Sequence, residues 1–337
     1  MISKSNLTKV IAEIGINHGG NFNKALKLID IAKNCGADFV KFQIYKTEDL
    51  VTLDAKKALY QRKNDKSKSQ YLMLKKYEFS QSRFKKIIQY SKKKNIQFLA
   101  TPFDLDSVDF LIKQKLNWIK VSSSDINNYP LLEKIGKNKK KVFLSTGMSK
   151  LSEIQNAIKI LVKNGTPKKN IIIFHCTSSY PTMIKDANLN VLKTYQKKFG
   201  KNIGYSDHTQ SIFVPSFASA LGAKYVEKHL TLNNLDKGPD HKSSLNPKNF
   251  KRMIEILDDL QVSLGFHKKI ITKSERENLK YARRAIYARK NIKVGELFSE
   301  TNLITKRPFA GLNPILWKKI IGRKAKKNFI KDEAIKI

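Results

Sequence analysis

Between Gly204 and Asp240 the chain carries two short apolar runs, Gly204-Tyr205-Ser206-Asp207-His208-Thr209 and Ala223-Lys224-Tyr225-Val226-Glu227-Lys228-His229-Leu230-Thr231. Each carries a histidine near its end with a carboxylate one or two residues before it. An Ala/Gly-rich segment of helix length separates them, the pattern of two successive parallel strands joined by a crossover helix. Such a unit sends His208 and His229 out from the carboxyl ends of neighbouring strands, where parallel α/β folds place their active sites. Two neutral imidazoles with Asp207 and Glu227 at hand have the donor chemistry of a divalent-metal site. A lone histidine of this kind more often satisfies a loop backbone; two at matching places favour a shared ligand.

Lysines give the second signal. Lys41 lies inside the apolar run Phe39-Val40-Lys41-Phe42-Gln43-Ile44 and Lys120 inside Trp118-Ile119-Lys120-Val121-Ser122. A buried ammonium is costly unless paired with an anion. Hydroxyls stand near them at strand ends, so the pair suggests a small phosphate or carboxylate ligand held by two ammonium groups and Ser/Thr donors. The competing reading pairs each lysine with a carboxylate such as Glu13.

The elements that must position these residues alternate regularly. Val10 to Gly20 is a strand that runs into a glycine turn, Asn23 to Asn34 a helix, Phe39 to Ile44 a strand, and a long polar excursion follows from Tyr45 to Ser80. A loop of that length in a compact enzyme belongs more often to the active site than to a linker, and the apolar Tyr71-Leu72-Met73-Leu74 argues against a disordered insertion. Beyond it come the strands Gln97 to Pro102, Trp118 to Ser122, Lys141 to Gly147 and Ile171 to Cys176, with helices such as Phe84 to Lys93, Asp106 to Lys115, Tyr129 to Lys137 and Leu151 to Asn164 between them. With the two histidine-bearing strands this makes eight βα units, which predicts a (β/α)8 TIM barrel closed by a helix from Asn249 to Leu264. The polar residues then gather at one end of the strands: Glu13, Lys41, Gln43, Thr101, Lys120, Ser123, Asp125, Ser145, Ser178, Tyr180, Ser206, His208, Glu227 and His229. After Gly265 the pattern breaks, and short alternating runs with turn signals predict a small β-rich domain. The expected division is a catalytic barrel over 1–270, a linker over 271–284 and the small domain over 285–337.

Composition narrows the classes. Lys+Arg 66 against Asp+Glu 28 gives a net charge of +38, an imbalance that suits nucleic acid, an anionic surface or an acidic substrate. The lysines are spread along the whole chain, and no zinc-finger, RNP or helix-turn-helix signature accompanies them, so a dedicated nucleic-acid role is disfavoured. Two widely separated cysteines give no disulfide framework or thiolate zinc site. The absence of a long apolar run and of a signal-type segment ahead of Val10 predicts a cytoplasmic protein with no membrane partner.

The ordered motifs Ile11-Ala12-Glu13-Ile14-Gly15-Ile16-Asn17-His18-Gly19-Gly20, Val40-Lys41-Phe42-Gln43, Ala100-Thr101-Pro102-Phe103, Leu144-Ser145-Thr146-Gly147-Met148, His175-Cys176-Thr177, Tyr205-Ser206-Asp207-His208-Thr209, Glu227-Lys228-His229-Leu230-Thr231 and Gly238-Pro239-Asp240-His241 resemble those of the sialic acid synthase family. The tail, with Lys306-Arg307-Pro308, Gly311, Pro314 and Ile321-Gly322-Arg323, resembles the antifreeze-like (SAF) domain of its bacterial members. The resemblance spans nearly the whole chain. It implies condensation of phosphoenolpyruvate with an open-chain N-acyl hexosamine, giving a nine-carbon 2-keto sugar acid and phosphate. By similarity, His208 and His229 ligate Mn2+ or another divalent ion such as Mg2+ or Co2+, Glu13 handles water or a proton, and Glu227 supports the metal-bound water. The resemblance further assigns Lys41, Thr101, Lys120, Ser123, Ser145, Ser178 and Ser206 to phosphoenolpyruvate and Gln43, Asp125, Tyr180 and Asp240 to the sugar. Arg307 resembles an arginine that reaches the sugar site of a partner subunit, which implies a domain-swapped homodimer.

Three departures from the family pattern stand out: Asp125 stands where many relatives have glutamate, Ser178 replaces an asparagine found in some members, and Phe309-Ala310 replaces the commoner glycine and asparagine. Those at Asp125 and Phe309-Ala310 fall on the acceptor side. The leading expectation is N-acetylneuraminate synthesis from N-acetylmannosamine. The nearest alternative uses a diacetamido hexose and makes an N,N'-diacetyllegionaminate-type acid; pseudaminate synthases are less alike at the opening strand. An alternative of another class is a basic polyanion-binding protein on a degenerate barrel.

Overall fold

The computed structural model describes residues 8–336, so residues 1–7 and 337 of the expected domain ranges lie outside it. The chain divides into two compact units, one running to Gly265 and the other from Phe266, with a helix over Lys273–Ala282 inside the stretch expected as a linker.

The first unit contains eight parallel strands: β1 (Lys9–Gly15), β2 (Phe39–Ile44), β3 (Gln97–Pro102), β4 (Trp118–Val121), β5 (Lys141–Ser145), β6 (Ile171–Cys176), β7 (Ile203–Asp207) and β8 (Tyr225–His229). They pair in the order β3-β2-β1-β8-β7-β6-β5-β4, and β3 and β4 run side by side, so the sheet curls into a nearly closed barrel. Helices follow the strands: α1 (Phe22–Cys35) after β1; α2 (Thr47–Leu50), α3 (Leu59–Asn64), α4 (Gln70–Tyr77) and α5 (Gln81–Lys93) after β2. They continue as α6 (Leu105–Lys113), α7 (Tyr129–Lys137), α8 (Leu151–Lys163), α9 (Val191–Phe199), α10 (Val214–Ala220) and α11 (Pro247–Leu264). The expected eight-unit barrel is therefore what forms. Strands four, five, seven and eight stop one or two residues short of their expected ends, where hydroxyl-bearing turns take over.

Strand alternation explains how the barrel is filled. Ile11, Phe39, Leu99, Phe143, Ile172 and Phe174, with Trp118 and Tyr225 beside them, pack as one apolar cluster on the barrel axis. Side chains two residues further along a strand point the same way, one layer nearer the carboxyl ends. Those residues are Glu13, Lys41, Thr101, Lys120, Ser145, Cys176 and Glu227. The sequence thus switches from an apolar plug to a polar layer at the level where (β/α)8 barrels carry their sites. Gly204 lets the plug close: an added Cβ would sit 2.6–2.8 Å from the Phe174 ring. Two further clusters fill the space between strands and helices.

The second unit holds a two-stranded antiparallel sheet, β9 (Ala285–Ala288) with β10 (Leu303–Lys306), after α12 (Lys273–Ala282). Isolated bridges such as Leu297 with Lys324 extend it. Ile286, Ile292, Phe298, Leu303, Ile320 and Phe329 are among the residues of its own core. It is small and β-rich, as expected.

Candidate active site

At the carboxyl ends of the strands lies a cavity of about 540 Å³. Glu13, Lys41, Gln43, Thr101, Lys120, Ser123, Ser145, Ser178, Tyr180, Ser206, His208, Glu227 and His229 all line it, so most of the sequence-predicted site residues are brought together. Asp240 sits just beside it, buried, with Oδ2 3.9 Å from His229 Nδ1. Asp125 is turned away into its own turn, accepting from Asn128 Nδ2 at 3.1 Å and Ser124 Oγ at 3.3 Å; its short side chain meets that amide instead of the cavity. Arg307 is an exposed residue of the second unit.

Four charges form the floor. Lys41 Nζ is 2.8 Å from Glu13 Oε2 and 3.6 Å from Glu227 Oε1, and Lys120 Nζ is 3.0 Å from Glu227 Oε2. Ser206 donates to Glu227 Oε1 at 3.0 Å, Lys41 donates to Thr101 Oγ1 at 3.3 Å, and Lys120 Nζ rides 3.7 Å above the Phe174 ring centroid. The lysines are thus paired with carboxylates, the competing reading of the sequence, yet they also face the cavity, as an anion site requires. The two glutamates are driven apart. Burial and the neighbouring Glu227 charge outweigh Lys41 and raise Glu13 to about 7. Glu227 is as deeply buried, but Lys120 and Lys41 together reverse that and hold it down at about 2. Burial lowers Lys120, whereas for Lys41 the two glutamates overcome the same burial and raise it. A carboxyl poised near neutrality beside a carboxylate locked as an anion is an acid/base arrangement.

Hydroxyl donors gather on one side. Ser123 Oγ accepts from Gly147 N at 2.9 Å and lies 3.2 Å from Cys176 Sγ. A Cβ on Gly147 would come within 2.2 Å of Ser178 Oγ and 3.0 Å of Ser123 Oγ, so only glycine leaves these oxygens room.

The two imidazoles stand 5.5 Å apart between ring centroids. His208 Nδ1 lies 2.8 Å from the Thr177 carbonyl, which fixes Nδ1 as the donor and leaves Nε2 a free acceptor. Burial lowers both histidines, His229 strongly, with His208 and Lys41 adding to it, so both rings are neutral imidazoles. His229 Nδ1 is buried without a hydrogen-bond partner. Tyr180 packs on His208 at 4.2 Å and meets His229 edge-on at 5.9 Å.

The expectation that Asp207 stands beside these histidines as a metal donor is corrected. Asp207 alternates outward on β7 and is paired at 2.6 Å with Lys228, which alternates outward on β8; Tyr205 and Thr209 donate to the same carboxylate. His18 is likewise structural, stacked on Phe79 at 4.1 Å with Nδ1 accepting from Gly20 N. The sequence missed Tyr60, Gln61, Leu50, Val51, Leu74 and Cys176, which also line the cavity. All but Cys176 belong to the excursion after β2, whose length was their one signal.

Residues 28–269 match the NeuB family and residues 283–337 the SAF domain. The chain is 44% identical over 332 residues, 98% of its length and 99% of the relative's, to the N,N'-diacetyllegionaminic acid synthase of Campylobacter jejuni. It is 37% identical over 257 residues to the N-acetylneuraminate-9-phosphate synthase of Mus musculus, covering 76% of this chain and 71% of that one. The crystal structure of N-acetylneuraminic acid synthetase from Leptospira borgpetersenii in complex with citrate superposes with a TM-score of 0.71 at 35% identity, over 81% of this chain and 90% of that one. The chain therefore belongs to the NeuB family, as a phosphoenolpyruvate-dependent sialic-acid-type synthase whose barrel is followed by a SAF domain.

Proposed function

We propose that the chain is an N,N'-diacetyllegionaminate-type synthase, joining phosphoenolpyruvate to a diacetamido hexose, in place of the N-acetylneuraminate synthesis that the sequence led with. The supporting observation is the 44% identity to a diacetyllegionaminic acid synthase across both full lengths, against 37% over a shorter span for the N-acetylneuraminate-9-phosphate enzyme.

In this reading the phosphoenolpyruvate anion lies over Lys41 and Lys120, with Thr101, Ser123, Ser145, Ser178 and Ser206 donating to its oxygens. Gln43, Tyr180 and Asp240 face the sugar, and Asp125 reaches it only if its side chain leaves Asn128. Carbon C3 of the enol bonds to the sugar aldehyde carbon while the aldehyde oxygen takes up a proton. Water adds to C2, and the C2–O bond to phosphate breaks to leave the 2-keto acid. Glu13 is the group that moves the proton, because it alone on the floor titrates near neutrality. Glu227, held anionic, keeps both ammoniums charged and aimed.

His208 Nε2 and the unpartnered His229 Nδ1 are two neutral donors for a divalent ion, Mn2+ being the one the family resemblance implies, whose remaining positions would fall to water and substrate. Among the described residues no group of three or more His, Cys, Asp or Glu is placed to hold a metal ion, so protein donors beyond the two histidines do not enter the proposal. When bound, such an ion would polarise the aldehyde and activate water. A dimer in which Arg307 of each subunit serves the other's cavity, and a cytoplasmic location where phosphoenolpyruvate is made and consumed, complete the proposal.

The test is phosphate release from phosphoenolpyruvate with a diacetamido-trideoxy hexose, N-acetylmannosamine and its 6-phosphate, with and without Mn2+. The expected kcat/KM for the diacetamido sugar exceeds the others by about 10-fold or more, the worth of one well-met substituent. His229→Ala abolishes turnover and Mn2+ binding while the protein stays folded. A preference for N-acetylmannosamine would overturn the acceptor assignment.

A further inference from the structure

Besides the charged floor and the imidazoles, the cavity has a second lining. That lining comes from the excursion between β2 and β3 and is mainly apolar: Leu50, Val51, Ala58, Tyr60 and Leu74, with Phe103 from the end of β3. Tyr60 is the organising member. Its ring stacks on Tyr180 with centroids 5.1 Å apart and planes at 27°, and Tyr180 in turn packs on His208. The three rings form a column running from the imidazole to the excursion. Gln61 Nε2 donates to the Tyr60 hydroxyl at 3.4 Å while its Oε1 accepts from Ala58 N at 2.9 Å, so the short helix α3 presents Tyr60 in one orientation. The helix itself is tied down: Lys57 donates to the Asp65 carbonyl at 2.6 Å, Tyr77 to Asp65 Oδ2 at 3.0 Å, and Asn64 Nδ2 to the Pro239 carbonyl at 3.3 Å.

We propose that Tyr60, at the outer end of this column, is a specificity-determining residue: with Leu50, Val51 and Leu74 it forms an apolar wall that receives the methyl-bearing end of the acceptor sugar. The inference rests on the synthase reading of the site and adds which end of the sugar this lining selects. An acceptor whose aldehyde lies at His208 and His229 extends along the faces of Tyr180 and then Tyr60, away from the charged floor. A hydroxymethyl or phosphorylated terminus there leaves polar groups against aliphatic carbon, which costs affinity. An acetamido methyl or a deoxy methyl gains it, each buried methyl-sized group contributing by area and by stacking on an aromatic face.

The experiment compares wild type with Tyr60→Ala, Tyr60→Phe and, as a control on the same helix, Leu59→Ala, whose side chain is 75% exposed and does not line the cavity. Steady-state constants are measured separately for phosphoenolpyruvate and for two acceptors, a diacetamido-trideoxy hexose and N-acetylmannosamine. The expected result for Tyr60→Ala is an acceptor KM raised about 10-fold or more. The phosphoenolpyruvate KM stays within about twofold and the ratio of kcat/KM between acceptors moves toward one. Tyr60→Phe keeps most of the selectivity, and Leu59→Ala behaves as wild type. An unchanged acceptor ratio, or equal movement of both KM values, overturns the proposal. Should wild type prefer N-acetylmannosamine, the diacetamido reading fails, while an acceptor KM raised alone by Tyr60→Ala still separates a contact with whichever sugar is used from no contact at all.

Discussion

At the scale of single residues, the site turns on the separation of two like groups. Glu13 and Glu227 are both deeply buried, yet one is pushed up to about 7 and the other held at about 2, because Glu227 has two lysines and Glu13 shares one. Below pH 7 the protonated Glu13 leaves two ammoniums against one carboxylate, a net positive floor; above it the charges cancel. The KM for phosphoenolpyruvate is therefore expected to rise as pH rises through about 7. Glu13→Gln keeps the floor positive throughout, so its KM for phosphoenolpyruvate is flat across that range while kcat falls roughly 10²–10⁴-fold for loss of the proton carrier. Retention of the wild-type pH dependence in this variant would assign the titration elsewhere. The stability sign is separate: a carboxyl with a raised pKa favours the folded state while protonated, so its contribution declines as pH climbs from its ordinary value toward 7. Much of this was legible in advance, since a lysine inside an apolar strand needs an anion; which anion it holds in the free protein was not, because Glu13, Glu227 and a ligand offer the same charge.

At the scale of elements, alternation along the strands decides which polar residues reach the cavity. On β7 and β8 the inward residues are Ser206, Glu227 and His229, and the outward ones Asp207 and Lys228. Lys228 is wholly buried, bonded to Asp207 and to the Thr209 and Ser211 carbonyls. Its pairing clamps the two histidine-bearing strands from outside. Lys228→Met leaves Asp207 as an uncompensated buried charge and is expected to cost about 3–5 kcal/mol of stability, read as a lowered denaturation midpoint, and Asp207→Asn with Lys228→Met recovers part of it. A variant as stable as wild type would remove the clamp. The strands were readable because each is a short buried run bounded by turn residues. Asp207 was misread through proximity in sequence, although a period of two already puts it on the opposite face from His208. The excursion escaped for a different reason: α2, α3 and α4 are too short to show helical periodicity, and their places are set by distant partners such as Tyr45, which donates to the Leu74 carbonyl at 3.0 Å.

At the scale of the whole molecule, a barrel unit and a SAF unit each close on their own core, and no helix among the described residues is long and apolar enough to cross a membrane. The excess of +38 is spread over the surface, while the buried floor balances two lysines with two glutamates; the global charge and the site chemistry are separate features. The fold and the reaction class were both legible from ordered motifs, but the acceptor was not, since the aliphatic and aromatic residues that line the cavity from the excursion carry no motif. The most direct test of the account follows the atoms of the reaction. Phosphoenolpyruvate carrying a heavy isotope in its bridging C2–O–P oxygen is incubated with the enzyme, Mn2+ and the diacetamido sugar. The account predicts phosphate that retains the label, released one for one with a nine-carbon 2-keto acid and only when the sugar is present. Unlabelled phosphate, or phosphate released without the sugar, would mean that the C2–O bond is not broken by condensation in this cavity.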